Sequence, residues 1–120
     1  MFSKNSNDFL AKLLNSYGPS GFELETASVF GNYLEKFADD IKVDVTGNTI
    51  AVLNPDSPFK VMIAGHYDEI GFQVVHISDE GLIYFRNVGG IDKLTVPGTE
   101  VVILNEKGKI PGVIGKKPIH

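Results

Sequence analysis

The chain contains no cysteine. That excludes disulfides, thiolate metal sites and a cysteine nucleophile, so any metal must be held by histidine, aspartate or glutamate; a reducing compartment fits such a composition. Basic residues are also scarce, with 11 lysines and arginines against 15 aspartates and glutamates and a formal net charge of −4. Beyond Lys116-Lys117 there is no basic cluster, and no aromatic residues interleave with a basic face, which argues against nucleic acid as a partner. No apolar run approaches the length of a membrane span, and the opening MFSKNSNDFLAKLLNSYG lacks the apolar core of a signal peptide. The expected location is cytoplasmic, with no membrane partner.

What remains is a chain of 120 residues with 42% hydrophobic content, enough for one modest core or for pieces of two. Phe9, Leu10, Leu13 and Leu14 fall on one stripe at helical spacing, which predicts an amphipathic helix over about residues 5 to 16. Tyr17-Gly-Pro-Ser-Gly-Phe22 reads as a turn, and Ser20 with Glu23 three positions on reads as a capping box for a second helix running to about Phe37. Leu24, Ala27, Phe30, Leu34 and Phe37 are its expected inward face. Gly18-Pro19-Ser20-Gly21 admits two readings, a tight loop or a place for an anion or substrate amine near a helix N-terminus. Ile41–Val45 and Thr49–Leu53, divided by Thr46-Gly47-Asn48, predict two strands joined by a tight turn, and Asn54–Pro58 a further turn. Helices followed by hairpin-linked strands make an α/β beginning.

The chemistry concentrates in Lys60–Phe72, KVMIAGHYDEIGF. Lys60–Ala64 is a short run with an apolar interior, the pattern of a strand buried on both faces, and it breaks at Gly65 into His66, Asp68 and Glu69. Open α/β sheets bind ligands beyond the carboxyl ends of their strands, which is where these ionisable groups fall. In extended backbone, residues two apart share a side, so His66 and Asp68 can meet in one cavity while Tyr67 faces away. Neutral imidazole is the commonest metal ligand, and a neighbouring carboxylate orients and polarises it. A plain hydrogen-bonded pair at a strand end is the competing reading. Past residue 70, Phe72–Ile77, Leu82–Arg86, Val101–Leu104 and Ile110–Ile114 are short strands separated by glycine-bearing turns, which suggests a small antiparallel barrel or sandwich and a boundary near residues 69 to 72. His76 lies inside one of those strands and reads as a surface or packed histidine. A hydrolytic metal site needs about three to five protein ligands. His66, Asp68 and Glu69 are the ones at convincing spacing, and the chain reads as the N-terminal part of something larger.

Taken in order, Gly18-Pro19-Ser20-Gly21, Asp44, Gly47-Asn48, Met62–Gly71, Gly89-Gly90 and Gly108–His120 resemble the glutamyl and deblocking aminopeptidases, the tetrahedral-particle (TET) metallopeptidases, some of which carry an endoglucanase or cellulase label. The resemblance implies a zinc-peptidase-like α/β/α catalytic domain, begun here by residues 1–70, followed by the first part of an inserted antiparallel β-barrel dimerisation domain, residues 71–120. It implies that His66 ligates one of two divalent ions, zinc or cobalt, that Asp68 supports the site catalytically from behind, and that Glu69 is structural. It also implies hydrolysis of the first peptide bond with a glutamate as general base. The general base, the bridging aspartate and the remaining ligands belong, by the same resemblance, to a segment beyond residue 120. The implied partners are peptide substrates and further copies of the chain, as the dimer building block of a larger particle. The chain alone is expected to be inactive. A catalytically silent assembly module and an ordinary α/β domain without metal are the alternatives.

Overall fold

The computed structural model of the chain describes residues 2–116; Lys117–His120, the end of the resembling segment, lie outside the described residues. Helix α1 spans Lys4–Leu14 and α2 spans Leu24–Leu34. Strands β1 (Asp40–Val43), β2 (Thr49–Val52), β3 (Gly71–Ile77), β4 (Ile83–Val88), β5 (Glu100–Asn105) and β6 (Gly108–Val113) come after them in the chain. They pair in chain order as three two-stranded antiparallel sheets. Contacts divide the chain into two compact units, one ending at Gly89 and the other beginning at Gly90.

In the first unit, α1 opens on Ser3, whose hydroxyl accepts the Ser6 N–H at 3.2 Å and so satisfies one of the donors a helix start leaves unpaired. Phe9 turns its ring onto Tyr33 of α2, stacked at 3.8 Å between centroids, and lies 6.5 Å from Phe30. Those contacts explain why Phe9 and Leu13 are half-buried while Leu10 and Leu14, farther round the stripe, are exposed. The capping box expected at Ser20 and Glu23 does not form. Glu23 occupies the cap position without a side-chain cap bond and instead accepts the Gly21 N–H at 2.6 Å, while the Ser20 hydroxyl is taken by a residue far along the chain. Helix α2 ends at Leu34, short of the expected Phe37, and meets its neighbours α1 and β2 through positions that include Phe30 and Tyr33; Leu24 on it and Phe37 beyond it, both expected inward, are exposed.

Strands β1 and β2 pair from Asp40↔Val52 to Val43↔Thr49. Their turn is organised by Asp44, whose carboxylate accepts the N–H groups of Thr46 and Asn48 and the side-chain donors of both. Gly47 takes a φ of +92° there, a left-handed conformation that glycine adopts without steric cost. The buried strand expected at Lys60–Ala64 is not seen. Residues 60–68 belong to no ladder, and Val61, Met62 and Ile63 are 73%, 90% and 95% exposed. A strand enclosed on both faces needs a neighbour on each edge and cover on each side, and the described residues furnish neither. Beyond it, β3 and β4 form a hairpin with a register shift between Val74 and His76 and with Phe72 and Phe85 packed edge to face at 4.7 Å.

The second unit is the β5–β6 hairpin, tied by the Gly98 N–H to the Ile114 carbonyl at 2.8 Å; Ile114 is the buried apolar residue among those described. The antiparallel pairing expected after residue 70 is present, while closure into a barrel is not seen among the described residues. No helix among them is long and apolar enough to cross a membrane.

Candidate metal-anchoring site at His66 and Asp68

Local alternation positions the site. Tyr67 points to one side, its ring 5.9 Å from Phe30 of α2 and its hydroxyl donating to the Gly47 carbonyl at 2.6 Å in the β1–β2 turn. His66 and Asp68 project together from the segment on either side of it, and His66 Nδ1 lies 2.9 Å from Asp68 Oδ1. The alternation expected of extended backbone therefore holds even though no ladder imposes it.

A second anchor lies immediately after the pair. Glu69 forms a parallel bridge with Pro19, its N–H donates to the Gly18 carbonyl at 2.9 Å, and its own carbonyl accepts the Ser20 N–H at 3.2 Å. Its carboxylate turns away from His66 and accepts the Gly18 N–H at 3.0 Å. Glu69 is thus a brace in this structure, and Gly18-Pro19-Ser20-Gly21 is the loop it braces. The loop rests in turn on α2, where Gly18 lies against the buried Thr26, whose hydroxyl is hydrogen-bonded to that of Ser16 at 3.0 Å.

The electrostatics derive from the contacts. Asp68 accepts the Ser20 hydroxyl on Oδ2 at 2.5 Å and the His66 ring on Oδ1. These two bonds, Ser20 first and His66 second, favour the ionised carboxylate and hold its pKa below the ordinary range. His66 Nδ1 faces the Asp68 backbone carbonyl as well, at 3.2 Å. With only acceptors before it, Nδ1 must carry the ring proton, so in the neutral imidazole the lone pair resides on Nε2. The His66 side chain is 87% exposed and that of Asp68 39%.

The structure brings His66 and Asp68 together and leaves Glu69 out of their contact. His76 sits on β3 with its ring 5.7 Å from that of Tyr84. Among the described residues no three His, Asp or Glu side chains gather into a group that could hold a metal ion. Sequence reasoning does not reach Ser20 as the partner of Asp68. Its hydroxyl reaches across 48 positions, and the only local sign is a loop whose serine also satisfies a nearer rule.

The chain as a whole is similar to known proteins. Residues 47–120 match the family described as M42 glutamyl aminopeptidase. The chain is 35% identical over 114 residues to the lysyl aminopeptidase of Pyrococcus furiosus, an alignment that covers 94% of this chain and 33% of that protein. A TET aminopeptidase from a marine-sediment thaumarchaeon superposes with a TM-score of 0.90 at 34% identity, covering 97% of this chain and 33% of that one. A TET peptidase of Pyrococcus horikoshii, which can assemble into a tetrahedron or a large octahedral shell, gives a TM-score of 0.83 at 38% identity, covering 95% and 34%. The chain spans about a third of the length of the relatives it matches.

Proposed function

The chain belongs to the M42 glutamyl aminopeptidase family, and from that membership we propose that it is the part of a metal-dependent aminopeptidase that contributes His66 as a metal ligand and Asp68 as the group supporting it. Family membership implies dependence on divalent metal ions; we take these to be zinc or cobalt, two per complete site, and the imidazole of His66 is a donor that suits either. The observation that carries the reading is the His66–Asp68 pair. A carboxylate that fixes the Nδ1 proton and leaves Nε2 bare and solvent-facing is the arrangement that outer carboxylates give to ligating histidines.

A divalent ion bound there would polarise a peptide carbonyl and lower the pKa of a coordinated water. The residues of this chain do the rest of the local work. His66 offers one neutral donor. Asp68 holds its tautomer and ring plane, while Tyr67 and Glu69 hold the backbone that carries both. Further donors and the general base belong to the two-thirds of the relatives' length that this chain does not span. Residues 1–70 then begin the catalytic domain and residues 71–120 the inserted, assembly-forming one. Peptides are the substrates and further copies of the chain the partners. The exposed apolar side chains of β3 and β4, including Val74, Val75, Ile77 and Tyr84, fit burial by another surface and favour assembly as the accompanying role.

The test is hydrolysis of aminoacyl p-nitroanilides with added zinc or cobalt. The chain alone should show no turnover above buffer. A polypeptide extended to the length of its relatives should hydrolyse them, and should lose that activity on chelation and in His66→Ala. Metal-independent turnover, or full activity in His66→Ala, would refute the proposal.

A further inference from the structure

We infer that Ser20 is a positioning residue for the metal-ligand histidine: its hydroxyl clamps Asp68 in the orientation that keeps the proton on Nδ1 of His66 and the lone pair on Nε2. The inference rests on the proposed role of His66 in saying why the tautomer matters, but not in saying what sets it.

Without a clamp, Asp68 would have considerable freedom. Its side chain is 39% exposed, and the segment before it belongs to no ladder, so water competes for both carboxylate oxygens. Each oxygen instead receives one protein donor, Oδ2 the Ser20 hydroxyl at 2.5 Å and Oδ1 the His66 ring at 2.9 Å. Two donors on two oxygens fix the plane of the carboxylate as well as its position, and hydrogen bonds to a charged acceptor are the stronger kind.

Ser20 can act as a clamp because it is itself held. Its N–H donates to the Glu69 carbonyl at 3.2 Å, and the preceding residues are bound to Glu69 through the Gly18 N–H and the Gly18 carbonyl. The Phe22 N–H closes the turn onto the Pro19 carbonyl at 2.8 Å. The serine is therefore fastened to the residue immediately after the one it clamps, which ties the loop to the site. An imidazole left to water carries its proton mainly on Nε2, the position a metal would need. Loss of the clamp frees Asp68 to turn towards solvent and returns His66 to that unsuitable form.

The experiment reads the tautomer directly, without metal or substrate. The full chain is prepared with 15N-labelled histidine, and the ring nitrogens are recorded above the titration range of histidine, with the His66 signals assigned by their disappearance in His66→Gln. In the parent chain Nε2 should resonate as an unprotonated, pyridine-type nitrogen and Nδ1 as a protonated one. Ser20→Ala should move Nε2 towards the protonated position with the remaining histidine signals unchanged, and Ser20→Thr, which keeps the hydroxyl, should restore the parent pattern. Parent-like signals in Ser20→Ala would overturn the inference, as would failure of Ser20→Thr to restore them. An extended enzyme that bound no metal through His66 would sink the peptidase reading and leave this result standing.

Discussion

Gly18 is the glycine whose added methyl group would meet its neighbour most closely. A Cβ built there would lie 2.4 Å from Thr26 Oγ1 and 3.0 Å from Thr26 Cβ. Neither side can readily give. Thr26 is 3% exposed, is stiff at χ1 as a β-branched residue, and is hydrogen-bonded through its hydroxyl to Ser16. The Gly18 backbone is held on both of its polar groups by Glu69. Overpacking of this kind costs about 1–3 kcal/mol, and displacing the Thr26 hydroxyl from its buried partner adds about 1 kcal/mol. Gly18→Ala should therefore lose about 2–4 kcal/mol, read in urea as a midpoint lowered by about 1 M or more at unchanged slope. Thr26→Ala in the same background removes Oγ1 and leaves only the Cβ contact. The double variant should be more stable than the sum of the single losses by about 1 kcal/mol. A Gly18→Ala chain within about 0.5 kcal/mol of the parent, on the scale of an ordinary surface change, would refute the reasoning, as would strict additivity with Thr26→Ala.

The anchors around the site give two further expected outcomes. Tyr67→Phe keeps the ring against Phe30 but removes the hydroxyl that donates to Gly47; it should cost about 1 kcal/mol, with faster amide exchange across the Asp44–Thr49 turn, and unchanged exchange there would contradict the role given to that bond. Asp44 is held at about 2 by hydrogen bonds from Asn48 and Thr46, below the ordinary 3.8. Because the folded value is the lower one, this carboxylate's contribution is complete above the ordinary carboxylate range and fades as pH falls from about 4 towards about 2. A carboxyl 13C titration of the folded chain should place its midpoint near the lower figure, and a midpoint close to 4 would show that the Asp44 network is absent in solution.

Both helices, the β1–β2 hairpin and the later strands are legible in the sequence because each rests on periodicity or turn chemistry within a few residues. The Phe9 and Leu13 stripe needs only α2 beside it, and Gly47 needs only its own turn. Lys60–Ala64 misleads for the opposite reason. Its apolar run suggests burial, but burial depends on what other segments place beside a strand, and among the described residues Val61, Met62 and Ile63 remain in solvent. Ser20 illustrates competition between a local and a distant rule. Spacing to Glu23 satisfies the capping pattern, yet the hydroxyl goes to an ionised carboxylate 48 positions away, where a charge-assisted bond outweighs a neutral cap. The pairing of His66 with Asp68 is legible because period-two alternation is a property of the extended backbone itself.

A site can be ordered in this way without a strand ladder at its centre. Strand ladders are the usual means of fixing where side chains at a strand end point, and here the segment carrying His66 and Asp68 has none. Its orientation is set instead by fastenings at two of its residues. At Tyr67 the ring and hydroxyl reach α2 and the β1–β2 turn; at Glu69 the chain is stitched to the Gly18–Ser20 loop. Both draw only on residues earlier in the chain than the site itself. Among the described contacts, those that present the pair come from the first 70 residues, and the proposed metal set would form on a histidine whose tautomer and ring plane they have already chosen.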